Sequence, residues 1–228
     1  MPEQEGIMAE QILEEMSVLL QKGKAKDVKR LAQEALDTGI APERILNEGL
    51  LSGMMLIGEK FKNNEVFVPE VLVAARAMTA GTKILEEKLV EAGVEPFGKA
   101  VIGTVKGDLH DIGKNLVVMM LKAAGFEVFD LGVDVDTDTF IEKADETGAD
   151  IIAMSALLTT TMPSMKEVID ELVRRGVRDK YTVMIGGAPV TQAYAQQIGA
   201  DIYTEDAASA AQMAKAAVLE KRKKTGMV

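Results

Sequence analysis

The period of the hydrophobic pattern changes once along this 228-residue chain, near residue 99. Before that point apolar residues recur three and four apart, the spacing that places them on one face of a helix. Leu13, Met16 and Leu20 make one stripe, and Val28, Leu31, Ala35 and Leu36 make the next. The stretch "DTGIAPER" stops a helix at Gly39 and starts another with Pro42 in its first turn, the positions these residues favour. Leu46, Leu50, Met54, Ile57 and Phe61 carry a third helix. After "KNNEVFVPE", with Pro69 at a helix start, Leu72, Ala75, Thr79, Leu85 and Leu89 carry a fourth. Four helices with short loops predict a small antiparallel bundle over residues 1–90.

Beyond residue 99 short β-rich runs alternate with amphipathic helical segments. The runs are "AVIGTV", "EVFDLG", "DIIAMSA", "YTVMIGG" and "DIYT". Strands of near-continuous apolar character, separated by helices, predict a parallel sheet covered on both faces. Residues 99–228 are therefore expected to form a doubly wound, Rossmann-like or flavodoxin-like five-stranded domain. The Gly, Pro and charge of residues 91–98 mark the linker. The class is an α bundle followed by an α/β domain.

Charge and composition narrow the function. A net charge of −10, from 36 acidic and 26 basic residues, opposes a nucleic-acid binder, which must neutralise phosphates. The basic run "KRKK" at 221–224 fits a solvated helix end at the negative pole of the dipole. With no cysteine, disulfides, Fe–S clusters and thiolate metal sites are excluded. The start "MPEQEGIMAEQ" has no signal-peptide pattern, and no apolar run approaches the roughly 20 residues that span a bilayer. A cytoplasmic protein without membrane attachment is expected.

In a doubly wound sheet ligands bind beyond the carboxyl ends of the strands. Three unusual clusters fall there: "KGDLHDIG" after the first strand, "SALLTTTMPS" after the third and "GGAPV" after the fourth. The first contains His110, the only histidine of the chain. Its glycines, at 103, 107 and 113, do not have dinucleotide-turn spacing. In D-x-H, Asp108 can accept the N–H of the histidine nitrogen that does not bind a ligand. One histidine without cysteine cannot build an ordinary zinc site, whereas a cofactor that brings its own ligands needs only one axial imidazole. Each cluster alone has an ordinary reading. His110 can be a hydrogen-bonded loop histidine, and Asp108 and Asp111 a helix cap and first-turn acid. Gly186 and Gly187 can simply turn the chain, and Ser155 with the threonines at 159–161 can cap the next helix. Their coincidence at three strand ends favours a ligand site.

"DLHDIG", followed by "SALLTT" and "GG", resembles the signature of cobalamin-binding domains of the methionine synthase type. The whole chain resembles the stand-alone corrinoid proteins of methanogen and acetogen methyltransferase systems, which serve methylamines, methanol, methoxyaromatics or betaines. The resemblance implies that His110 replaces the dimethylbenzimidazole as lower axial ligand to cobalt, the base-off/His-on state, with Asp108 holding the imidazole. The hydroxyl that completes this relay falls on Thr161 rather than a serine. Asp111, Ile112 and Gly113 would lie against the corrin. Ser155, Leu157 and Thr159 would line a slot for the nucleotide tail, with Gly186 and Gly187 clearing space and Ala207 near its end. "VFVPEVLVAARAM" resembles the part of the helical cap that covers the corrin, with Phe67 and Val71 shielding the methyl group. Phe67 alone can also be a hydrophobic staple before the Pro69 helix.

What the resemblance implies is a methyl carrier rather than a free-standing catalyst. Co(I) takes a methyl group from a substrate-specific methyltransferase, and the resulting methylcobalamin surrenders it to an acceptor methyltransferase using tetrahydrofolate or coenzyme M. A reductive activase would be the third partner. The acidic surface suits docking to basic patches. Two other classes remain: a cobalamin-dependent sensor or regulator, and a flavodoxin-like phosphoacceptor using Asp108 and Asp111.

Overall fold

The computed structural model describes residues 2–225 and divides into two compact units, Met1–Glu95 and Pro96–Val228. In the first, helices α1 (Pro2–Gln21) and α2 (Ala25–Asp37) lead into a continuous helical stretch over residues 42–62. That stretch opens with α3 (Pro42–Arg44), passes through a π-helical segment, Ile45–Leu51, and closes with α4 (Ser52–Lys62). Helix α5 (Val68–Glu91) completes the bundle. The expected stripes of α1 and α2 are buried, apart from a half-buried Leu36. Gly39 takes a positive φ of 83° at the end of α2, and Pro42 opens α3.

In the third helical stretch Leu50, Met54 and Ile57 are buried as expected, but the stripe starts at fully buried Ile45 rather than at half-buried Leu46. A π-helical turn holds more residues than an α-turn, so the buried face shifts along it. On α5 the buried residues are Val71, Ala74, Ala77, Met78, Gly81 and Leu85, whereas Leu72 and Thr79 are exposed. The core stripe is built on small residues, which a search for large apolar side chains passes over. A Cβ on Gly81 would stand 2.7 Å from Leu50 and 3.0 Å from Val28, so the glycine sets how closely the helices approach. Val71, expected on a ligand-facing surface, is fully buried in this stripe. Phe67 precedes the helix with its side chain 64% exposed, which removes the staple reading. Its backbone N–H donates to the Glu70 carboxylate at 3.0 Å.

The second unit alternates strands and helices: β1 (Gly98–Thr104), α6 (Ile112–Ala123), β2 (Phe126–Asp130), α7 (Thr137–Thr147), β3 (Ile151–Ser155), α8 (Pro163–Arg174), β4 (Thr182–Gly186), α9 (Gln192–Ile198), β5 (Ile202–Tyr203) and α10 (Ala207–Thr225). All strand pairs are parallel and the spatial order is β2-β1-β3-β4-β5. This is the flavodoxin-like order, whose switch point lies between β1 and β3. Val101, Ile152, Val183 and Ile185 of the strands pack with Phe140, Met165 and Leu172 of the helices in one apolar core. Gly103 of β1 makes room for Phe140, because a Cβ there would sit 2.9 Å from its ring.

Phe140 is the largest fully buried side chain of this core. Phe140→Ala should destabilise the α/β unit by about 3–5 kcal/mol, read as a lower urea midpoint.

Candidate functional site

The loops after β1 and β3 leave the sheet on either side of the switch point, and one carboxylate joins them. Asp108 is fully buried. Its Oδ1 accepts His110 Nδ1–H at 2.7 Å and the His110 backbone N–H at 3.1 Å. Its Oδ2 accepts the backbone N–H of Leu157 at 2.8 Å and of Leu158 at 3.2 Å, and the Thr161 hydroxyl at 2.7 Å. The Leu158 carbonyl lies 2.9 Å from the same hydroxyl, but the ionised carboxylate is the stronger acceptor for its single proton. Burial pushes the Asp108 carboxyl up. The hydrogen bonds from Leu157, Thr161 and His110 together outweigh burial and hold it well below the usual carboxylate range.

An ionised Asp108 only accepts, so the ring proton of neutral His110 must sit on Nδ1. Nε2 is then a free lone pair on a side chain about half exposed (51%). The Thr104 hydroxyl donates to the His110 carbonyl at 2.8 Å, fixing the residue from beneath. The imidazole is thus held in one tautomer with its second nitrogen uncommitted, an arrangement that suits a ligand at Nε2. The same geometry removes Asp108 as a phosphoacceptor, since its oxygens are occupied by five donors.

The remaining predicted residues fall into three groups. Thr104, Ser155 and Gly186 are in register across β1, β3 and β4, side by side at their carboxyl ends. Gly187 stands at φ +132°, where a Cβ would lie 1.8 Å from the Ala156 carbonyl oxygen. A Cβ on Gly186 would meet nothing within 4 Å, so open space adjoins that strand end. Leu157 binds Asp108 through its backbone and leaves its side chain exposed, as is Thr159. Asp111 stands at the N-cap of α6 without a capping bond from its side chain, which instead accepts from Asn115 at 3.1 Å. Ile112 is 74% exposed and Gly113 is exposed, both at the start of α6. Ala207 is buried at the start of α10. Phe67 and Val71 belong to the other unit.

Three residues of this region escaped the sequence reading. Thr104 was legible as a hydroxyl in an otherwise apolar strand. Lys114 is only 2% exposed, and its Nζ pairs with both oxygens of Asp130 at 2.7 Å. On sequence alone it reads as a solvated helix lysine. Asp134, in the turn after β2, accepts the Gly107 N–H at 2.7 Å.

Among the described residues no group of three or more His, Cys, Asp and Glu side chains could hold a metal ion. The donor set is one imidazole nitrogen beside an open edge lined by small residues. It fits a cofactor that carries its own equatorial ligands. Comparison with known proteins agrees: a B12 binding domain matches residues 98–212, and a second B12 binding domain matches residues 12–86. The chain belongs to the B12-binding family of corrinoid proteins. It is 48% identical to dimethylamine corrinoid protein 3 of Methanosarcina acetivorans, over 82% of this chain and 88% of that one. Identity to trimethylamine corrinoid protein 2 of the same organism is 46%, over 82% and 87%. The methanol:cobalamin methyltransferase complex of Methanosarcina barkeri superimposes with a TM-score of 0.82 at 30% identity, over 92% of this chain and 80% of that chain.

Two outcomes follow for this B12-binding unit. Asp108 has a folded-state value below its ordinary 3.8, so the stability it adds is full above about pH 4 and is lost as pH falls further. The stability gap between wild type and Asp108→Asn should therefore shrink below about pH 4, by up to about 1.4 kcal/mol per pH unit, in urea titrations at several pH values. Gly187→Ala should lower the thermal midpoint sharply, because its Cβ meets backbone, while Gly186→Ala should leave it nearly unchanged.

Proposed function

We propose that this corrinoid protein is a methyl carrier between two methyltransferases, holding cobalamin base-off with His110 Nε2 as the lower axial ligand. The observation that carries the reading is the chain Thr161–Asp108–His110, with both links at 2.7 Å. Bound cobalamin would supply the cobalt that accepts and donates the methyl group; the protein tunes that chemistry through ligation and access. Asp108 keeps the ring proton on Nδ1 and so leaves the Nε2 lone pair free for a ligand. The Thr161 hydroxyl, already donating to Oδ2, fills the place of the serine found in domains of the methionine synthase type. The Leu158 carbonyl is the other acceptor within reach of that proton, and the ionised carboxylate is the stronger one.

Ser155, Leu157, Thr159, Gly186 and Gly187 would border the slot for the displaced nucleotide tail, with Ala207 near its far end. Support for the slot is the open space at Gly186, with Ser155 beside it in register on β3. Asp111, Ile112 and Gly113 would meet the lower corrin face, where the exposed Ile112 offers an apolar contact. Phe67 is the exposed aromatic that would shield the upper face, and buried Val71 would support the turn presenting it.

The partners are a substrate-specific methyltransferase as donor, an acceptor methyltransferase using tetrahydrofolate or coenzyme M, and a reductive activase. Names of the relatives favour a methylated amine as the donor class. The net charge of −10 suits basic docking patches on all three. Among the described residues no helix is long and apolar enough to cross a membrane.

Reconstitution of the full chain with hydroxocobalamin should give a coloured protein with about one cofactor per chain, the stoichiometry that one axial histidine implies. His110→Ala should change the visible spectrum of the bound cofactor. An unchanged spectrum would remove His110 from the cobalt, and no uptake at all would overturn the carrier reading.

A further inference from the structure

The loop that carries His110 is held through its backbone by two residues outside it. Thr104, fully buried at the end of β1, donates its hydroxyl to the His110 carbonyl at 2.8 Å. Asp134 lies between β2 and α7 with φ +53°, a left-handed conformation that few residues other than glycine adopt. That conformation lets it grip the loop twice. Its Oδ1 accepts the Gly107 N–H at 2.7 Å, and its own N–H donates to the Asp108 carbonyl at 3.0 Å. The grip has a fixed base, because residues 131–135 run along the end of β1. Leu131 N–H donates to the Ile102 carbonyl at 2.8 Å, Thr104 N–H to that of Gly132 at 2.9 Å, and Val135 N–H to that of Thr104 at 3.0 Å.

We propose that Thr104 and Asp134 are positioning residues for the His110 imidazole, bracing its loop from beneath and from the side. The inference rests on the reading of His110 as the axial ligand. The bond from Nδ1 to Asp108 fixes the rotation of the ring, but it does not fix where the backbone places the ring. Backbone groups in an exposed loop can be satisfied by water. Here Gly107, Asp108 and His110 are each tied instead to a named partner on a neighbouring segment. A small backbone displacement grows toward Nε2, the atom farthest from the chain, so loss of a brace weakens coordination before it unfolds the domain. Asp is among the few residues suited to both tasks at position 134, since it tolerates the left-handed region and carries an acceptor. A residue held in a sparsely populated conformation is also the kind of local strain that collects at functional sites.

Cyanide titration of the reconstituted full chain measures imidazole binding directly, because cyanide displaces the axial nitrogen with a change in the visible spectrum. Thr104→Val keeps the shape of the side chain and removes its donor. Asp134→Gly keeps the left-handed backbone and removes the carboxylate. Each should lower the cyanide concentration that displaces His110 by about fivefold, the worth of one hydrogen bond. Asp134→Asn retains both features and should stay within about twofold of wild type by the same reasoning.

A second readout needs no cofactor. With one histidine in the chain, 15N NMR of the apo protein reports a single imidazole. Thr104→Val and Asp134→Gly should keep the Nδ1–H tautomer that Asp108 sets but shift and broaden the Nε2 resonance, as the ring samples more than one position. Ile169→Val, a trim of the buried core on α8, controls for general loss of stability and should behave as wild type in both measurements. The proposal is overturned if Thr104→Val and Asp134→Gly titrate as wild type, or if Ile169→Val shifts the titration as far as they do. Failure of the axial reading looks different: wild type and His110→Ala would then bind cyanide alike, and both ideas would fall together.

Discussion

One buried carboxylate organises the functional end of the α/β unit. An ion taken out of water is costly unless its lone pairs are satisfied, and Asp108 meets that condition with five donors. Two of them come from its own loop and three from the loop after β3. The charge can stay ionised and buried only while both loops keep their positions. The electrostatics of one side chain thus tie together two segments that are about fifty residues apart in sequence. Orientation of the imidazole is a consequence of that tie, since the acceptor for Nδ1 is immobile before any ligand arrives.

The sheet explains why such a tie is possible at this edge. At the switch point between β1 and β3 the chain departs in opposite directions, so two loops rise side by side with no helix packed between them. Register then aligns Thr104, Ser155 and Gly186 on adjacent strands, all with small side chains. A larger residue at any of these ends would fill the cleft that the order of the strands opens. Gly187 goes further, because the chain turns there so tightly against Ala156 that no side chain fits. Spatial order and residue size are separate constraints, and the site requires both.

The sequence carried the parts of this arrangement that are local or periodic. Five apolar runs marked the strands because a parallel sheet hides both faces, and the spacing of D-x-H placed a carboxylate beside an imidazole. What escaped was long-range or built from small residues. The core stripe of α5 uses Ala74, Ala77 and Gly81, whose contribution is close approach rather than bulk, so the large residues Leu72 and Leu89 misled the phase. The π-helical segment Ile45–Leu51 moved only the start of its stripe, from Leu46 to Ile45. Lys114 and Asp134 were illegible for another reason: a lysine in a helix and an acid in "DVDTD" look solvated until the fold brings their partners to them.

Lys114 shows how that late pairing can matter to the site without touching it. The lysine lies in the first turn of α6, three residues after Asp111, and its buried ammonium meets Asp130 at the end of β2. A pair of this kind need not add net stability, because desolvation offsets much of the attraction. Its geometry is nevertheless specific: Asp130 also accepts the Gly132 N–H at 2.9 Å, at the head of the turn that carries Asp134. One carboxylate thereby fixes both the start of the helix that follows His110 and the turn that grips the loop before it. An apolar pair of equal volume could fill the same space, but it would leave the Gly132 N–H without this acceptor and the helix start free to slide. Placement, more than stability, is what a buried charge contributes here, and that accounts for a lysine where an apolar residue would pack at lower cost.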